Sequence, residues 1–374
     1  EVAREPHRLH NVQLEDQSLP HLLRQRVAIA FLSTDKGQVR QVIGLELDSI
    51  QFLVTAQTFD LLVGIFLAHH HIAILVLRKF IEQLASEGEL AVIDTKVNIA
   101  MDEHPTQAIR TKTDSSLVLG LEQLKKREDC GAFVSAGSTG AVLTGGFMKV
   151  GRIAGVSRPA LCPTLPTMKD GQEFMLLDCG ANMDCTAVQL VQFAVMANEY
   201  YKAMGVDNPR IALLNVGTEN TKGNEVVKEA YALLSKLRDE KLLNFVGNIE
   251  GDQVFHGNVD VVVADGFWGN VLLKSIEGTV KFVFKSVKNV MMSSLGGKIG
   301  ALFLGGKLKK FKANKMDKTN ATIFLGLKKA VVKMHGNADA VKVTSALQYA
   351  TTVVDFDLNA RIEAALTKVE PLLG

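Results

Sequence analysis

The sequence predicts an α/β protein built on a parallel sheet with helices on both faces. From residue 72 onward, short apolar runs of strand length alternate with stretches whose apolar residues recur at helical spacing. Such alternation is typical of strands joined by crossover helices, which favours parallel pairing. Small polar residues follow four of the runs. Because ligands bind at the carboxyl ends of parallel strands, these polar clusters predict one shared site.

Each predicted strand is a short apolar run, and each predicted helix has an apolar stripe or a capping signal. The predicted strands are 27–32, 51–54, 72–77, 91–93, 132–134, 174–177, 211–216, 242–246 and 259–263. The predicted helices are 79–86, 117–124, 142–148, 187–204 and 224–237. Asp114-Ser115-Ser116 precedes the second of these helices and predicts its N-cap.

Composition excludes several classes of protein. The 374 residues are 47% hydrophobic and 22% charged, as in ordinary soluble globular proteins, and the net charge of +2 predicts no nucleic-acid partner. The polar start of the chain predicts no secretory signal and a cytoplasmic location. Histidines break the apolar region 61–77, which argues against a membrane span. Those histidines, His69-His70-His71, are adjacent and cannot all face one metal ion.

Four cysteines are spread along the chain without a CxxC pair: Cys130, Cys162, Cys179 and Cys185. This spacing predicts free, buried thiols rather than disulfides or a metal site. The sequence has no GxGxxG fingerprint after any predicted strand, no GxSxG motif and no metal-ligand pair. It therefore predicts chemistry without a metal, a cofactor or a covalent protein intermediate.

The first polar cluster, Ser135-Ala136-Gly137-Ser138-Thr139-Gly140, lies between a predicted strand and a predicted helix. A helix N-terminus carries partial positive charge and unpaired N–H groups, which suit phosphate. Gly137 and Gly140 allow close approach of the backbone, and Ser135, Ser138 and Thr139 add hydroxyl donors. The alternative is a tight strand-to-helix turn that binds nothing.

The second cluster, 217–224, follows a predicted strand, and Thr221-Lys222-Gly223-Asn224-Glu225 lies at the start of the next predicted helix. Lys222 adds a full positive charge beside the N–H groups of that helix, which favours phosphate or a developing oxyanion. A lysine at this position opposes the helix dipole, and an unfavourable local choice is a hint of function. The alternative is a solvated lysine without a role.

Two further clusters, 178–182 and 265–270, each begin with an aspartate and contain an asparagine. Asp178 and Asp265 can act as bases, orient a nucleophile or cap the next helix. Asn182 and Asn270 can donate to a carbonyl oxygen.

Residues 278–316 differ from the rest of the chain, because they contain nine lysines and no acidic residue, with apolar residues between the lysines. A basic amphipathic segment can lie on an anionic membrane, and it can equally pack on its own sheet or on a second subunit. Gly296-Gly297 and Gly305-Gly306 are predicted to break it into a helical hairpin.

These residues give the chain a resemblance to a known family, the phosphate acyltransferases of bacterial phospholipid synthesis, called PlsX. The similarity covers residues 72–318 and 325–340, and its specificity comes from many matching stretches in the same order. They include Met101-Asp102-Glu103-His104-Pro105, Ser135–Ala141, Leu177-Asp178-Cys179-Gly180-Ala181-Asn182, Thr221–Glu225 and Asp260–Lys274. Thr221-Lys222-Gly223 also looks like the phosphate-site motif of phosphotransacetylases.

The resemblance implies a Rossmann-like three-layer α/β/α sandwich of the isocitrate and isopropylmalate dehydrogenase type. It implies a homodimer that touches the membrane peripherally and converts acyl-[acyl-carrier protein] and inorganic phosphate to acyl phosphate. Phosphate would lie at the 135–140 turn and at Lys222, with Thr221, Gly223 and Asn224 beside it. Asn182 or Asn270 would polarise the thioester carbonyl, and Asp178 or Asp265 would orient the nucleophile.

The chain departs from the family in residues 1–71, which lack the Asp-Ala-Met-Gly-Gly-Asp opening and form an atypical segment before an acyltransferase domain at 72–374. Asn320-Ala321-Thr322-Ile323 also replaces the usual Gly-Gly-Ala-Pro. Three alternatives remain open, of which the second is motivated by the missing opening motif. They are a phosphotransacylase for short acyl-CoA, a non-catalytic homologue that binds membrane or carrier protein, and a dehydrogenase on the same fold.

Overall fold

The structure is a computed structural model that describes residues 26–30, 41–45, 90–95, 97–128, 130–315, 321–336 and 340–373. It is a mixed α/β protein, as the sequence predicts. The predicted strands 51–54 and 72–77, the predicted helix 79–86 and the histidines at 69–71 lie outside the described residues.

The strands are β1 (Arg26–Ala30), β2 (Gln41–Leu45), β3 (Leu90–Asp94), β4 (Cys130–Ser135), β5 (Ala160–Cys162), β6 (Thr164–Pro166), β7 (Glu173–Leu177), β8 (Arg210–Leu214), β9 (Asn244–Ile249), β10 (Val261–Val263), β11 (Ala321–Leu325) and β12 (Ala330–Met334). The helices are α1 (Pro105–Thr111), α2 (Ser116–Lys126), α3 (Thr139–Gly145), α4 (Ala187–Ala203), α5 (Glu225–Asp239), α6 (Gly266–Met292), α7 (Leu295–Lys315), α8 (Ala340–Asp355) and α9 (Leu358–Val369). A π-helical turn, Gly146–Val150, continues α3.

The chain divides into two compact units. The Ser135 unit contains the described residues up to 159 together with 321–364, and the Asp178 unit contains residues 160–315 and 365–373. The sequence predicts one parallel sheet, whereas each unit has its own sheet, and each sheet includes antiparallel pairs. The prediction of a single parallel sheet is therefore wrong. It failed because the periodicity of a strand or helix does not indicate which sheet a strand joins.

In the Ser135 unit the strands lie in the order β3-β2-β1-β4-β12-β11, with β1, β4 and β12 parallel. Every residue of β4 is buried. On one face Val134 packs with Val332 and with α8. On the other face Phe133 contacts α2, where a Cβ at Gly120 would lie 2.3 Å from its ring. Helices therefore cover both faces of this sheet.

In the Asp178 unit the strands lie in the order β6-β7-β10-β8-β9, and all but β6 are parallel. Helix α4 buries eleven of its seventeen residues. It begins with a capping box, in which the Thr186 hydroxyl accepts from Gln189 N and the Gln189 side chain accepts from Thr186 N. The apolar residues of this helix surround it on all sides, as is typical of a buried helix.

Helices α6 and α7 correspond to the segment predicted as a helical hairpin. The break falls at Ser293-Ser294, and both predicted breaks, Gly296-Gly297 and Gly305-Gly306, lie inside α7. The Ser294 hydroxyl accepts from Gly297 N at 3.0 Å, which is the bond of a helix N-cap. A glycine inside a helix costs only about 1 kcal/mol, so the glycines weaken α7 without ending it. The predicted position of the break is therefore wrong.

Candidate functional site

Three of the four polar clusters leave one edge of the sheet in the Asp178 unit. Strand β10 lies between β7 and β8, and Val263 is paired with Leu177 on one side and with Leu213 on the other. With ~4.8 Å between neighbouring strands, the ends of β7 and β8 lie about 10 Å apart. The loops that begin at Asp178, at Asp265 and after β8 therefore lie side by side. The fourth cluster follows β4, which belongs to the Ser135 unit.

Asp178 is fully buried and accepts five hydrogen bonds from N–H groups. Its Oδ1 accepts from the backbone N of Leu161 at 2.9 Å, of Cys179 at 2.7 Å and of Ala181 at 3.3 Å. Its Oδ2 accepts from the backbone N and the side-chain Nδ2 of Asn182, at 2.6 and 3.0 Å. An ionised carboxylate can accept all five bonds, because its two oxygens carry no proton and act only as acceptors. This side chain therefore fixes the loop that follows β7.

Burial raises the pKa of the Asp178 carboxyl to about 6, because removal from water penalises the charged form. The N–H bonds from Leu161, Asn182 and Cys179 lower the pKa, but burial is the larger effect. At pH 7 the carboxyl is mostly ionised. Since both oxygens are occupied by loop N–H groups, the geometry is that of a positioning residue.

Helix α6 begins directly against this loop. Asp265 is its N-cap, and Oδ1 of Asp265 accepts from Trp268 N at 2.8 Å. Burial raises the pKa of Asp265, while N–H bonds from Trp268 and Phe267 act in the opposite direction. Gly266 N donates to the carbonyl oxygen of Asn182 at 2.7 Å. The 178–182 loop and the first turn of α6 are thus bonded to each other.

Two glycines allow this contact. A Cβ at Gly266 would lie 2.4 Å from Asn182 O, and a Cβ at Gly269 would lie 1.8 Å from Asp178 O. Both distances are far below van der Waals contact, and the atoms met are backbone atoms that cannot turn away. The sequence analysis did not single out either glycine, although two glycines three residues apart in the first turn of a helix are a signal for close packing.

The two asparagines have different surroundings. Nδ2 of Asn182 donates to Asp178, so this amide holds the loop together. The side chain of Asn270 lies against Gly180, whose φ is +102°, and the ideal Cβ position of Gly180 is 3.5 Å from Asn270 Cγ. Among the described residues, none forms a hydrogen bond with the side chain of Asn270. Its amide is therefore available to a ligand, and that of Asn182 is largely committed.

Lys222 lies in the loop between β8 and α5, and Asn224 caps α5 by accepting from Val227 N at 2.9 Å. The stem of Lys222 passes over Gly217, where a Cβ would meet Lys222 Cγ at 2.9 Å. Asn215 Nδ2 donates to Lys222 O at 3.1 Å. Lys222 is exposed and forms no ion pair with any described residue. Its ammonium is therefore free to meet an anion at this edge.

Thr221 and Asn224 are also exposed, and Gly223 has a φ of +94° that suits glycine alone. The loop thus brings together the ammonium of Lys222, the hydroxyl of Thr221 and the backbone N–H groups at the start of α5. The prediction that this cluster lies at the start of a helix is confirmed, and the helix begins at Glu225, one residue later than predicted.

The turn after β4 is built around Ser135, which is fully buried and whose hydroxyl accepts from Gly137 N at 3.1 Å. Ser138 is the N-cap of α3, but its side chain makes no capping bond. Neither Ser138 nor Thr139 uses its hydroxyl in a hydrogen bond to a described residue, and both are partly exposed. Ser135 therefore orders the turn, while Ser138 and Thr139 face outward with free donors. Gly140 packs closely on α1.

Exposed apolar side chains surround the three loops of the Asp178 unit, a feature that the sequence analysis missed. Phe267 and Trp268 in the first turn of α6 are 51% and 56% exposed and pack edge to face, with ring centroids 5.2 Å apart. Val216 after β8 is 80% exposed, and Met183 and Val271 are also exposed. Exposed apolar groups around polar loops are typical of a site for a ligand with an apolar part.

The cysteines are not poised as nucleophiles. Burial raises the pKa of the Cys185 thiol to about 12, and it also raises the pKa of the Cys179 thiol well above its ordinary value. A thiol with such a pKa is protonated at pH 7, and the thiolate is the reactive form. None of the four cysteines is in a disulfide bond, as predicted, and all but Cys185 are buried. In the part of the chain that the structure describes, no group of His, Cys, Asp and Glu side chains is arranged to hold a metal ion.

Comparison with known proteins shows the family. Residues 26–361 match the family described as fatty acid synthesis protein. The phosphate acyltransferase of Thermoanaerobacterium thermosaccharolyticum is 42% identical over 280 residues, which cover 74% of this chain and 82% of that protein. The chain belongs to this family of phosphate acyltransferases. The phosphate acyltransferase of Thermoanaerobacter pseudethanolicus is 44% identical over 275 residues, 73% of this chain and 80% of that protein.

The family match begins at residue 26 and so includes part of the segment 1–71. The resemblance to phosphate acyltransferases that the sequence motifs predict is confirmed, and the chain is a transferase by family. Among solved structures, a phosphotransacetylase from Streptococcus pyogenes is similar, with 17% identity and a TM-score of 0.46 over 68% of this chain and 74% of that one.

Proposed function

We propose that this chain transfers the acyl group of an acyl-[acyl-carrier protein] to inorganic phosphate, giving acyl phosphate for phospholipid synthesis. Family membership carries this proposal, because relatives that match three quarters of the chain are named phosphate acyltransferase. The free ammonium of Lys222, the free amide of Asn270 and the exposed apolar side chains beside them support it. The ammonium suits phosphate, the amide suits the thioester carbonyl, and the apolar side chains suit the acyl chain.

In the proposed reaction an oxygen of hydrogen phosphate attacks the thioester carbonyl carbon. A carbon–oxygen bond forms, the carbon–sulfur bond breaks, and the phosphate proton goes to the departing sulfur of the carrier. The products are acyl phosphate and the free thiol of the carrier protein. No protein nucleophile is needed, which agrees with the raised pKa of the cysteines. Catalysis then depends on positioning and on stabilisation of the developing oxyanion.

The residues have distinct proposed roles. Lys222, with Thr221, Gly223 and Asn224, binds phosphate, and Asn270 donates to the carbonyl oxygen as negative charge develops. Asp178 and Asn182 fix the loop, and Asp265 fixes the first turn of α6, so these three position the groups that act. The 135–140 turn is a second proposed phosphate-binding element, through the hydroxyls of Ser138 and Thr139. No metal or cofactor is required.

We also propose a specific type of α/β fold for this chain. A Rossmann-like three-layer sandwich of the isocitrate and isopropylmalate dehydrogenase type fits the parallel strands β7, β10, β8 and β9, and the helices that follow them. The proposed oligomeric state is a homodimer, which sedimentation of the purified chain tests.

Helices α6 and α7 support a proposed peripheral contact with anionic membranes. Only Gly266 and Gly269 are buried among the 27 residues of α6. The exposed residues of the two helices combine lysines with large apolar side chains, namely Phe282, Val283, Val287, Ile299, Phe303 and Phe311. This combination suits the interface of an anionic bilayer. No helix in the described part of the chain is long and apolar enough to cross a membrane. Flotation with vesicles containing anionic or only zwitterionic lipid tests the contact.

The decisive experiment incubates the purified chain with long-chain acyl-[acyl-carrier protein] and phosphate, and traps acyl phosphate with hydroxylamine. We expect hydroxamate that depends on phosphate. A parallel reaction with short acyl-CoA separates the proposed activity from that of a phosphotransacylase. A folded dimer that makes no hydroxamate with either donor would support the non-catalytic alternative, and hydride transfer to a nicotinamide would support the dehydrogenase.

A further inference from the structure

Lys333, the fourth residue of β12, lies beside the turn that follows β4. Strands β12 and β4 are parallel, and Lys333 is paired with Ser135. Paired residues in neighbouring parallel strands point to the same face of the sheet. Their neighbours Val134 and Met334 point to the other face, where they pack with α8. The side chains of Lys333 and Ser135 therefore point together to the face opposite α8.

The ammonium of Lys333 lies at the carboxyl edge of the sheet. Its Nζ donates to the carbonyl oxygen of Met334, the last residue of β12, so the side chain reaches toward the end of the strand. The chain then passes close to the turn after β4, since the ideal Cβ position of Gly336 is 3.6 Å from Ala136 O. Lys333 thus brings a positive charge to the same edge as the 135–140 turn.

This charge has no counterion in the part of the chain that the structure describes. Lys333 is partly buried, and no carboxylate among the described residues pairs with it. Burial lowers the pKa of its ammonium to about 8, so it is still mostly charged at pH 7. One of its three N–H groups meets Met334 O, and two remain. A partly buried cation without a counterion is costly, and such groups concentrate at functional sites.

A lysine just before the start of β12 shows the contrast. Lys329 lies just before β12, at the opposite edge, and its ammonium donates to Arg127 O at 2.7 Å and to Cys130 O at 2.9 Å. These bonds join the end of α2 to the start of β4, so Lys329 has a structural role. Lys333 has no comparable set of acceptors among the described residues.

We propose that Lys333 binds inorganic phosphate at the 135–140 turn, as the cation of this phosphate-binding element. The inference rests on the proposed transfer of an acyl group to phosphate. The hydroxyls of Ser138 and Thr139 and the ammonium then donate to one anion. A hydrogen bond from a charged ammonium to an anion is stronger than one from a neutral hydroxyl. Most of the affinity of the turn for phosphate therefore comes from Lys333.

The test compares Lys333→Gln, which keeps length and one donor but removes the charge, with Lys333→Arg, which keeps the charge. Lys328→Gln is the matched control, because Lys328 is exposed near the opposite end of the same strand. We expect Lys333→Gln to raise KM for inorganic phosphate by about tenfold or more, with KM for the acyl donor unchanged. Lys333→Arg should retain most of the affinity, and Lys328→Gln should match the parent chain.

A second readout needs no turnover. Inorganic phosphate should raise the unfolding temperature of the parent chain and of Lys328→Gln, but much less that of Lys333→Gln. Without phosphate, Lys333→Gln should unfold at the parent temperature or above it, because it removes a partly buried charge.

The outcomes separate the two proposals. An unchanged KM for phosphate, a raised KM for the donor alone, or a lower unfolding temperature without phosphate would overturn the role of Lys333. Failure of the parent chain to form acyl phosphate would overturn the proposed function, while phosphate stabilisation lost in Lys333→Gln would still support Lys333. No stabilisation of the parent chain by phosphate, together with no turnover, would overturn both.

Discussion

A Cβ at Gly269 would lie 1.8 Å from the carbonyl oxygen of Asp178. This approach joins the first turn of α6 to the loop after β7, and it places the Asn270 amide beside that loop. We predict that Gly269→Ala lowers the free energy of unfolding by about 3 kcal/mol and lowers kcat, because the helix must move away from the loop. Denaturant unfolding and hydroxamate formation measure the two effects.

Gly278→Ala is the matched control on the same helix. Nothing lies within 4 Å of a Cβ at Gly278. Alanine there should stabilise the helix by up to about 1 kcal/mol and leave activity unchanged. Equal effects of the two substitutions would show that Gly269 acts through helix propensity and not through contact with Asp178.

The two asparagines should respond differently to alanine. Asn270→Ala removes an amide with no described partner, so kcat should fall about 10²–10³-fold with little change in stability. Asn182→Ala removes a bond to the buried Asp178 carboxylate, so it should lower the free energy of unfolding by about 1–3 kcal/mol. Kinetics and urea unfolding of both variants separate the roles. If Asn182→Ala were the variant that lost kcat at full stability, the assignment would have to be reversed.

Features fixed by local sequence were predictable. Ser115 caps α2, Leu117, Leu121 and Leu124 are buried along it, and Asn224 caps α5, because a cap and an apolar stripe act within a few residues. The positions of the three clusters after β7, β8 and β10 were also predicted correctly, because polar residues after an apolar run indicate where a strand ends.

Features that depend on distant contacts were not predictable. The break between α6 and α7 is a local feature that was also missed, because it falls at the Ser294 cap while the glycine pairs gave the stronger sequence signal. The five donors to Asp178 come from two segments, and one of them, Leu161 N, lies 17 residues away. The position of Lys333 beside Ser135 depends on pairing between strands almost 200 residues apart, which no periodicity contains.

Lys222 should contribute mainly to phosphate binding. Lys222→Ala is expected to raise KM for phosphate about tenfold, because a single charge-assisted bond to the anion is lost. Lys228→Ala is the matched control in the same segment, since Lys228 pairs with exposed Glu225 at 3.1 Å and such pairs contribute little. Steady-state kinetics with varied phosphate measure both variants. An unchanged KM in Lys222→Ala would remove Lys222 from the mechanism.

The Asp178 carboxyl should make stability depend on pH in a defined direction. Its folded pKa of about 6 lies above the ordinary value of 3.8, so its stabilising contribution is complete below pH 3.8 and is lost as pH rises through 6. The gap corresponds to about 3 kcal/mol. We therefore expect the excess stability of the parent chain over Asp178→Asn to fall by about this amount between pH 4 and pH 7.

Urea unfolding of both chains across that range measures the difference, and Asp252→Asn, which removes an exposed carboxylate, is the control for the loss of one charge. A difference that grows with pH would mean that the five N–H bonds outweigh burial, and that the folded pKa of Asp178 lies below 3.8. In that case Asp178 would be ionised throughout the working range of the protein. The loop after β7 would then stay equally rigid down to pH 4.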